Sequence, residues 1–223
     1  MSLPVRVATL VAAFIAVVAG GAFLVIHYLL GGPPVEDFTA ASAGQVNVTM
    51  QEAPQTSVTS KPDWVSYFIK SPTTQQWVHT TLFKVPAGTR VNVTILGYDG
   101  CTPLRNPFWS KVTGTVGNVA YVNGKPQSVI NSWSGCNVGH TFSIPGIGLN
   151  VPMATPPLTA NLCGSSPCTA GPRTVVKFSF TTPKVAGDYF WQCRVPCGGG
   201  FLDGFGGPMQ TIGYMTGNME VVS

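Results

Sequence analysis

A long apolar segment runs from Val7 to Leu30, close to the start of the chain, and His27 is one of its few polar residues. A membrane-spanning helix needs about 20 apolar residues, whereas a cleavable signal peptide has a shorter apolar core followed by a small-residue cleavage site. Gly-Gly-Pro-Pro at 31–34 is a helix stop. We therefore predict an uncleaved transmembrane anchor over residues 1–31, with a signal peptide as the alternative.

After this segment the pattern changes to short stretches in which apolar and polar residues alternate, separated by Gly- and Pro-containing turns. Such alternation predicts half-buried β-strands. The candidate strands are Val46–Met50, Trp64–Ile69, Thr81–Val85, Arg90–Ile95, Thr174–Phe180, Asp188–Cys193 and Met219–Val222. Helical periodicity is not seen in this part of the sequence, so we predict an all-β fold, either a sandwich or a Greek-key barrel.

The polar pattern also suggests how the chain is divided. Residues 32–63 are rich in Ser, Thr and Gln, which predicts a linker and a first strand. Residues 64–223 form the predicted β domain. Within it, residues 97–138 contain several Gly, Asn and aromatic residues but few periodic stretches, so we predict a long loop insertion between strands.

Composition excludes two classes of function. Charged residues make up only 9% of the chain, against about 25% in typical soluble domains. The net charge of +4 comes without a basic run, and nucleic-acid binding requires a clustered Lys/Arg surface. Neither a Ser/His/Asp arrangement nor paired carboxylates can be recognised among the eight acidic residues, so a hydrolase is not expected.

Charges beside the apolar segment predict its orientation. Arg6 precedes it, and Glu36 and Asp37 follow it. Positive residues stay on the cytoplasmic side, so the β domain is predicted to lie on the extracellular or periplasmic side of the cytoplasmic membrane.

The six cysteines all follow the apolar segment, which agrees with an oxidising compartment. Cys163 and Cys168 enclose a short loop, and Cys101 and Cys136 flank the insertion. We predict a disulfide within each pair, which leaves Cys193 and Cys197.

Segments of the β domain also carry recognisable motifs. Residues 84–91 read Lys-Val-Pro-Ala-Gly-Thr-Arg-Val, residues 139–150 begin Gly-His-Thr-Phe-Ser-Ile-Pro, and residues 183–198 end Gly-Asp-Tyr-Phe-Trp-Gln-Cys-Arg-Val-Pro-Cys-Gly. Together they resemble the copper-A domain of cytochrome c oxidase subunit II, although the insertion and the Cys163 loop are not covered. The resemblance implies a cupredoxin-like Greek-key sandwich or barrel behind one transmembrane helix.

The same resemblance implies a set of metal ligands, which is incomplete here. Cys193, Cys197 and His140 match two thiolates and one imidazole of the family's copper site. The family's second His stands four residues after the second Cys, and its axial Met three residues further on. Those positions are Phe201 and Gly204 in this chain.

Alignment on the closing strand instead puts Met215 at the position of the axial Met and Ile212 at that of the His. His27 lies in the anchor, and His79 precedes the hairpin at 82–95, where the family has no ligand. The resemblance therefore implies the candidate metal ligands His140, Cys193, Cys197 and Met215, with Met209 as the alternative methionine.

Two interpretations of Cys193 and Cys197 remain open. They are thiolate ligands of an incomplete or rearranged copper site, or they form a disulfide that replaces one. Because the second imidazole is missing, we expect no dinuclear copper centre; bound copper remains the alternative.

As function, the resemblance implies a non-catalytic, subunit II-like or accessory subunit of a haem-copper quinol or cytochrome oxidase. Its expected partners are a polytopic haem-bearing subunit and other membrane subunits. The alternative is a stand-alone, membrane-tethered copper protein that carries electrons or delivers copper. A third hypothesis is a purely structural exported β domain.

Overall fold

The computed structural model describes residues 3–26, 31–40, 44–54, 64–101, 104–130, 138–156, 163, 166–171 and 173–223. Its compact units are Met1–Gly32 and Pro33–Ser223. In the first, α1 (Leu3–Leu24) has 22 residues and is apolar enough to cross a membrane. At 1.5 Å per residue it is about 33 Å long, close to the thickness of a bilayer core. A signal sequence would have the same features. His27 lies outside the described residues.

The second unit is built from β-strands and short 3-10 helices. The strands are β1 (Val35–Asp37), β2 (Gln45–Ala53), β3 (Ser66–Lys70), β4 (Trp77–Val78), β5 (Leu82–Pro86), β6 (Arg90–Gly97), β7 (Ala120–Val122), β8 (Lys125–Gln127), β9 (Val138–Ile144), β10 (Leu149–Ala154), β11 (Thr174–Thr181), β12 (Gly187–Gln192) and β13 (Thr216–Val222). The 3-10 helices are Pro107–Ser110, Val116–Asn118, Pro145–Ile147, Phe201–Gly204 and Gly207–Gln210.

The strands form two mixed sheets that enclose one hydrophobic core. One sheet has the order β1-β5-β13-β12-β9-β10 and the other β4-β3-β2-β6-β11-β7-β8. The inward positions of β2, β6 and β11 are filled by Val, Ile, Met and Phe, which face the buried residues of β5, β9 and β13. This alternation confirms the predicted all-β sandwich.

Trp191 of β12 occupies the centre of this core. Its ring lies 5.2 Å from that of Tyr67 and 4.8 Å from that of Phe142, measured between centroids. Its Nε1–H donates a hydrogen bond to the Thr81 carbonyl at 3.0 Å. The indole is therefore packed against both sheets, with its polar atom satisfied.

The segment 97–138 differs from the predicted loop. β7 and β8 form a hairpin in it that extends the seven-stranded sheet beside β11, with Val122 opposite Val176. The hairpin turn is Asn123-Gly124, with φ values of 48° and 83°. Asn-Gly is the preferred pair for this two-residue turn because both positions need positive φ. The sequence thus contained a hairpin signal that the prediction overlooked.

Residues 32–63 were predicted to be a linker and a first strand. The structure has two strands in this range, and β2 is central to its sheet. It pairs in parallel with β6 from Gln45↔Arg90 to Glu52↔Gly97, and antiparallel with β3. Val46, Val48 and Met50 of β2 are buried while Gln45 and Asn47 are exposed, so one face of β2 belongs to the domain core. Residues 55–63 lie outside the described residues.

Candidate metal centre

The candidate ligands meet at one end of the sandwich, where β9 and β12 are neighbours. His140 lies on β9, and Cys193 follows directly after β12. The Thr141 N–H donates to Cys193 Sγ at 3.4 Å, and the Arg194 N–H donates to Thr141 Oγ1 at 2.7 Å. These bonds hold the cysteine segment against the strand that carries the histidine.

The sulfur and nitrogen atoms lie at ligand-like separations. Cys193 Sγ is 3.7 Å from His140 Nδ1 and 3.7 Å from Cys197 Sγ. Cys197 Sγ is in turn 3.0 Å from Met209 Sδ. Two sulfurs bound at about 2.3 Å to one tetrahedral ion would be about 3.8 Å apart. The two cysteine sulfurs match this spacing, whereas Met209 Sδ is closer to Cys197 Sγ. Thiolate, thioether and imidazole donors together suit copper, so these residues fit the ion that the resemblance implies.

The methionine beside the thiols is Met209, not the predicted Met215. Met209 is buried, and its carbonyl accepts a hydrogen bond from Gln192 Nε2 at 2.6 Å, which anchors the loop to β12. Met215 is also buried, but the contact the structure gives it to this cluster is a backbone one: its carbonyl accepts the Cys193 N–H at 2.9 Å. The thioether candidate therefore moves from Met215 to Met209.

The position of Met209 bears on the missing imidazole. The resemblance to the copper-A domain implies a His three residues before the Met, and counted from Met209 that position is Gly206. Gly206 is buried and has a φ of −96°, which any residue can adopt. The extra residues of the loop lie between Cys197 and this position. The side chain of Phe201 is not among the described parts of the structure.

The structure confirms one of the two predicted disulfides and shows Cys193 and Cys197 as free thiols. The disulfide between Cys163 and Cys168 is confirmed, with a Cα–Cα distance of 5.6 Å. Cys101 is disulfide-bonded, but its predicted partner Cys136 lies outside the described residues. Cys193 and Cys197 are free thiols, so the structure presents them as available ligands and not as the disulfide considered above.

Two carboxylates that sequence reasoning missed contact the other side of His140. Its Nε2 lies 3.0 Å from Asp99 Oδ2 and 3.1 Å from Glu52 Oε1. Glu52 ends the inward series Val46, Val48, Met50 on β2, so the alternation already placed its carboxylate on the core face. The pairing of Glu52 with Gly97 brings it next to Asp99, just beyond β6.

Electrostatics at this cluster follow from burial and from these neighbours. Burial acts to lower the pKa of His140, but Glu52 together with Cys197, Asp99 and Cys193 raises it well above its usual range. Burial raises the pKa of Glu52. Burial also acts to raise the pKa of Cys193, but hydrogen bonds from Cys197 and His140 outweigh it, so this pKa lies well below the usual thiol range. The thiolate form needed by a soft metal is thus favoured at Cys193.

Cys197 behaves differently. Burial and the neighbouring Cys193 raise its pKa well above the usual thiol range. Loss of the Cys197 proton is thus disfavoured in the metal-free protein, where its Sγ lies 3.7 Å from that of Cys193. A bound cation would displace this proton, because metal ligation requires thiolates.

His79 does not take part in the centre. Its ring stacks on Phe68 at 4.9 Å and meets Tyr214 edge-on at 5.0 Å. His79 is therefore a packing histidine, in agreement with the absence of a ligand at this position in the resemblance. Among the described residues, His140 is the imidazole near the free thiols.

Comparisons with known proteins gave neither a matching family model nor a matching curated protein. Rusticyanin from Thiobacillus ferrooxidans is 16% identical, with 81% of this chain and 79% of that chain covered, at a TM-score of 0.32. Reduced rusticyanin is 17% identical, with 84% of each chain covered, also at 0.32. The metal-binding domain of the Cu(I)-exporting P-type ATPase CopA of Streptococcus pneumoniae is 12% identical, with 86% and 100% covered, at 0.33.

TM-scores this low do not establish a common fold or function. The class rests on the chain's own features: two mixed β-sheets around one core, with an imidazole and two thiols gathered at one end. These features define a cupredoxin-like domain that follows an N-terminal apolar helix.

Proposed function

We propose that this chain is a membrane-anchored electron-transfer protein that holds one copper ion through His140, Cys193, Cys197 and Met209. The observation that carries the proposal is the mutual spacing of these donor atoms. The separations of 3.7 Å between Cys193 Sγ and each of its two neighbours are those of ligands that share one tetrahedral ion with metal–sulfur bonds of about 2.3 Å. A copper ion held there would accept and pass on single electrons.

A single ion is proposed because the second imidazole has no counterpart. At the Gly206 position there is no side chain to complete the coordination of a second copper, and His140 is already adjacent to Cys193. A dinuclear centre would leave one copper with too few strong ligands.

Electron transfer fits the burial of the ligands. His140 and Cys193 are fully buried, and Met209 is 1% exposed. A ligand set locked in a core changes little when the charge of the ion changes, and it also excludes water. Release of the ion, in contrast, requires ligands that an acceptor can reach.

The finer proposal is that the domain is a subunit II-like component of a respiratory haem-copper oxidase. It is supported by the Gly-x-Tyr strand that runs into Cys193 and Cys197, and by the single apolar helix before the domain. Arg6, in the first turn of that helix, supports an extracellular or periplasmic location for the domain. Its partner is then a polytopic haem-bearing subunit, which performs the catalysis.

Copper stoichiometry tests this proposal. The full-length chain, purified from its native membrane in mild detergent, should contain one copper per chain, and Cys193→Ser should contain none. Two coppers with one shared unpaired electron would contradict the single-ion site, and no copper after anaerobic loading would overturn the proposal. A haem-bearing polytopic protein in the same native complex is the expected partner; its absence would refute the oxidase assignment alone.

A copper-delivery protein is the second candidate, and one observation favours it. Cys197 is partly exposed, unlike Cys193, and it is followed by Gly198-Gly199-Gly200. A thiol at the rim of a site can pass Cu(I) to another thiol by ligand exchange. Rapid copper transfer to an apo acceptor domain, without reversible oxidation and reduction, would favour this candidate.

A further inference from the structure

The donor atoms of the copper site account for only one nitrogen of His140. The other, Nε2, faces a buried pair of carboxylates that come from two different parts of the chain, Glu52 on β2 and Asp99 beyond β6. Both oxygens lie within hydrogen-bond distance of the same nitrogen. The imidazole is thus held between an acidic group on one edge and a thiol on the other.

Burial makes this arrangement unusual. The Glu52 side chain is 2% exposed and that of Asp99 23%, while His140 is fully buried. Buried carboxylates are expensive unless a donor or a cation compensates them. Within the described residues, Glu52 Oε1 has no hydrogen-bond partner of good geometry, and its charge lies 3.1 Å from His140 Nε2. A side chain that served the fold alone would be better replaced by an apolar one.

Resting on the proposed copper site, we infer that Glu52 and Asp99 are positioning residues for it. Asp99 accepts the Nε2–H of His140, and the Glu52 charge lies beside the same nitrogen, so that the ring is fixed with Nδ1 directed at the thiols. A neutral imidazole has one N–H, and the acceptor that holds it decides which nitrogen is left to bind a metal. A carboxylate in this role also makes the imidazole a stronger donor.

The two carboxylates contribute unequally. Glu52 is out of reach of solvent, so water cannot screen or replace its charge. Asp99 is partly exposed, and a water molecule can take over part of its role. Both negative charges stabilise the more oxidised copper relative to the reduced form, and the buried one acts through the lower dielectric.

The test compares Glu52→Gln, Asp99→Asn and the control Glu220→Gln in the full-length protein. The control is the same chemical change at an exposed carboxylate that pairs with Lys84. Copper affinity is measured by competition with a chromophoric Cu(I) chelator, and the reduction potential by redox titration. We expect Glu52→Gln to weaken binding by about 10–100-fold and to raise the potential. Asp99→Asn should act in the same direction but less, and the control should change neither.

Thermal unfolding separates positioning from packing. Because Gln keeps the shape of the Glu52 side chain and Asp99 stays beside His140 in this variant, its melting temperature should remain close to that of the wild type while copper binding weakens. A variant that simply loosened the core would lower both. The inference would be overturned if the copper affinity of Glu52→Gln were within twofold of the wild-type value and its reduction potential were unchanged within error.

Ring nitrogen NMR of the copper-free protein tests the inference independently of copper. His140 Nε2 should carry a proton that exchanges slowly with water, and Glu52→Leu combined with Asp99→Asn should abolish that protection. If the wild type showed this proton but bound no copper, the proposed function would fail and the positioning contact would stand. A bare Nε2 in the wild type would overturn the positioning role itself.

Discussion

Replacement of Trp191 is the sharpest test of how the core supports the site. Trp191→Phe keeps a ring against Tyr67 and Phe142 but removes the Nε1–H donor and part of the indole. The lost hydrogen bond costs about 0.5–1.5 kcal/mol. The Thr81 carbonyl also accepts the Asn218 N–H at 3.2 Å, so it is not left unsatisfied. The lost apolar surface adds about 1.5 kcal/mol, at roughly 0.8 kcal/mol per buried carbon group.

Trp191→Phe should therefore lower the free energy of unfolding by about 2–3 kcal/mol, and Trp191→Ala by about 3–5 kcal/mol because it also leaves a cavity. Since domains are stable by only about 5–15 kcal/mol, the alanine variant should be close to the limit of folding. Urea denaturation of both variants, followed by circular dichroism, measures the difference. Equal losses for Phe and Ala would show that the hydrogen bond dominates over packing. Losses below about 1 kcal/mol for both would refute the central position of this side chain.

Three further predictions concern other parts of the chain. Met209→Leu should change the visible spectrum and the reduction potential of the copper-loaded protein, whereas Met215→Leu, an equally buried control, should leave both unchanged. Burial lowers the pKa of His79, so folding favours its neutral form. The stability contributed by neutral His79 is therefore fully present above pH about 6.5, its usual pKa, and is lost as the pH falls towards the lower pKa of the folded state. His79→Asn should flatten the decline in unfolding free energy below pH about 6.5. Protease added to intact spheroplasts should digest residues 33–223.

A specific result would contradict each of these three predictions. A spectrum that responds to Met215→Leu instead of Met209→Leu would return the thioether role to the other methionine. A decline in stability at acidic pH that is the same with and without His79 would assign it to other groups. Complete protection of the domain in spheroplasts would reverse the membrane orientation.

The sequence predicted the strands whose alternation is regular, and for a physical reason. β6 and β11 each bury one face, so every second residue is apolar and the period is visible. β10 was not predicted, because Leu149–Ala154 is buried almost throughout and includes Pro152. Proline is tolerated there because β10 is at the edge of its sheet. Strands of this kind have no period to detect.

The candidate site was predictable only as far as its local motif extends. Cys193 and Cys197 belong to one short segment, and His140 to another with a recognisable surrounding. Glu52 and Asp99 come together through the parallel pairing of β2 with β6, which no local pattern reports. Met209 was ambiguous because its place depends on how a long Gly-rich loop folds back on Cys197.

The pairing of β12 with β13 has a consequence for how such sites change over evolution. The two strands pair from Gly187↔Val221 to Gln192↔Thr216, and the segment 193–215, which carries Cys193, Cys197 and Met209, connects them. Because the entropy of closing a loop grows only logarithmically, doubling its length costs about 0.6 kcal/mol. Insertions in this loop leave the pairing of β12 with β13 intact. Ligands in the loop can therefore be gained, lost or respaced without unfolding the sheet. Transplanting a loop of another length between Gln192 and Thr216 should therefore yield a folded protein with a different metal preference.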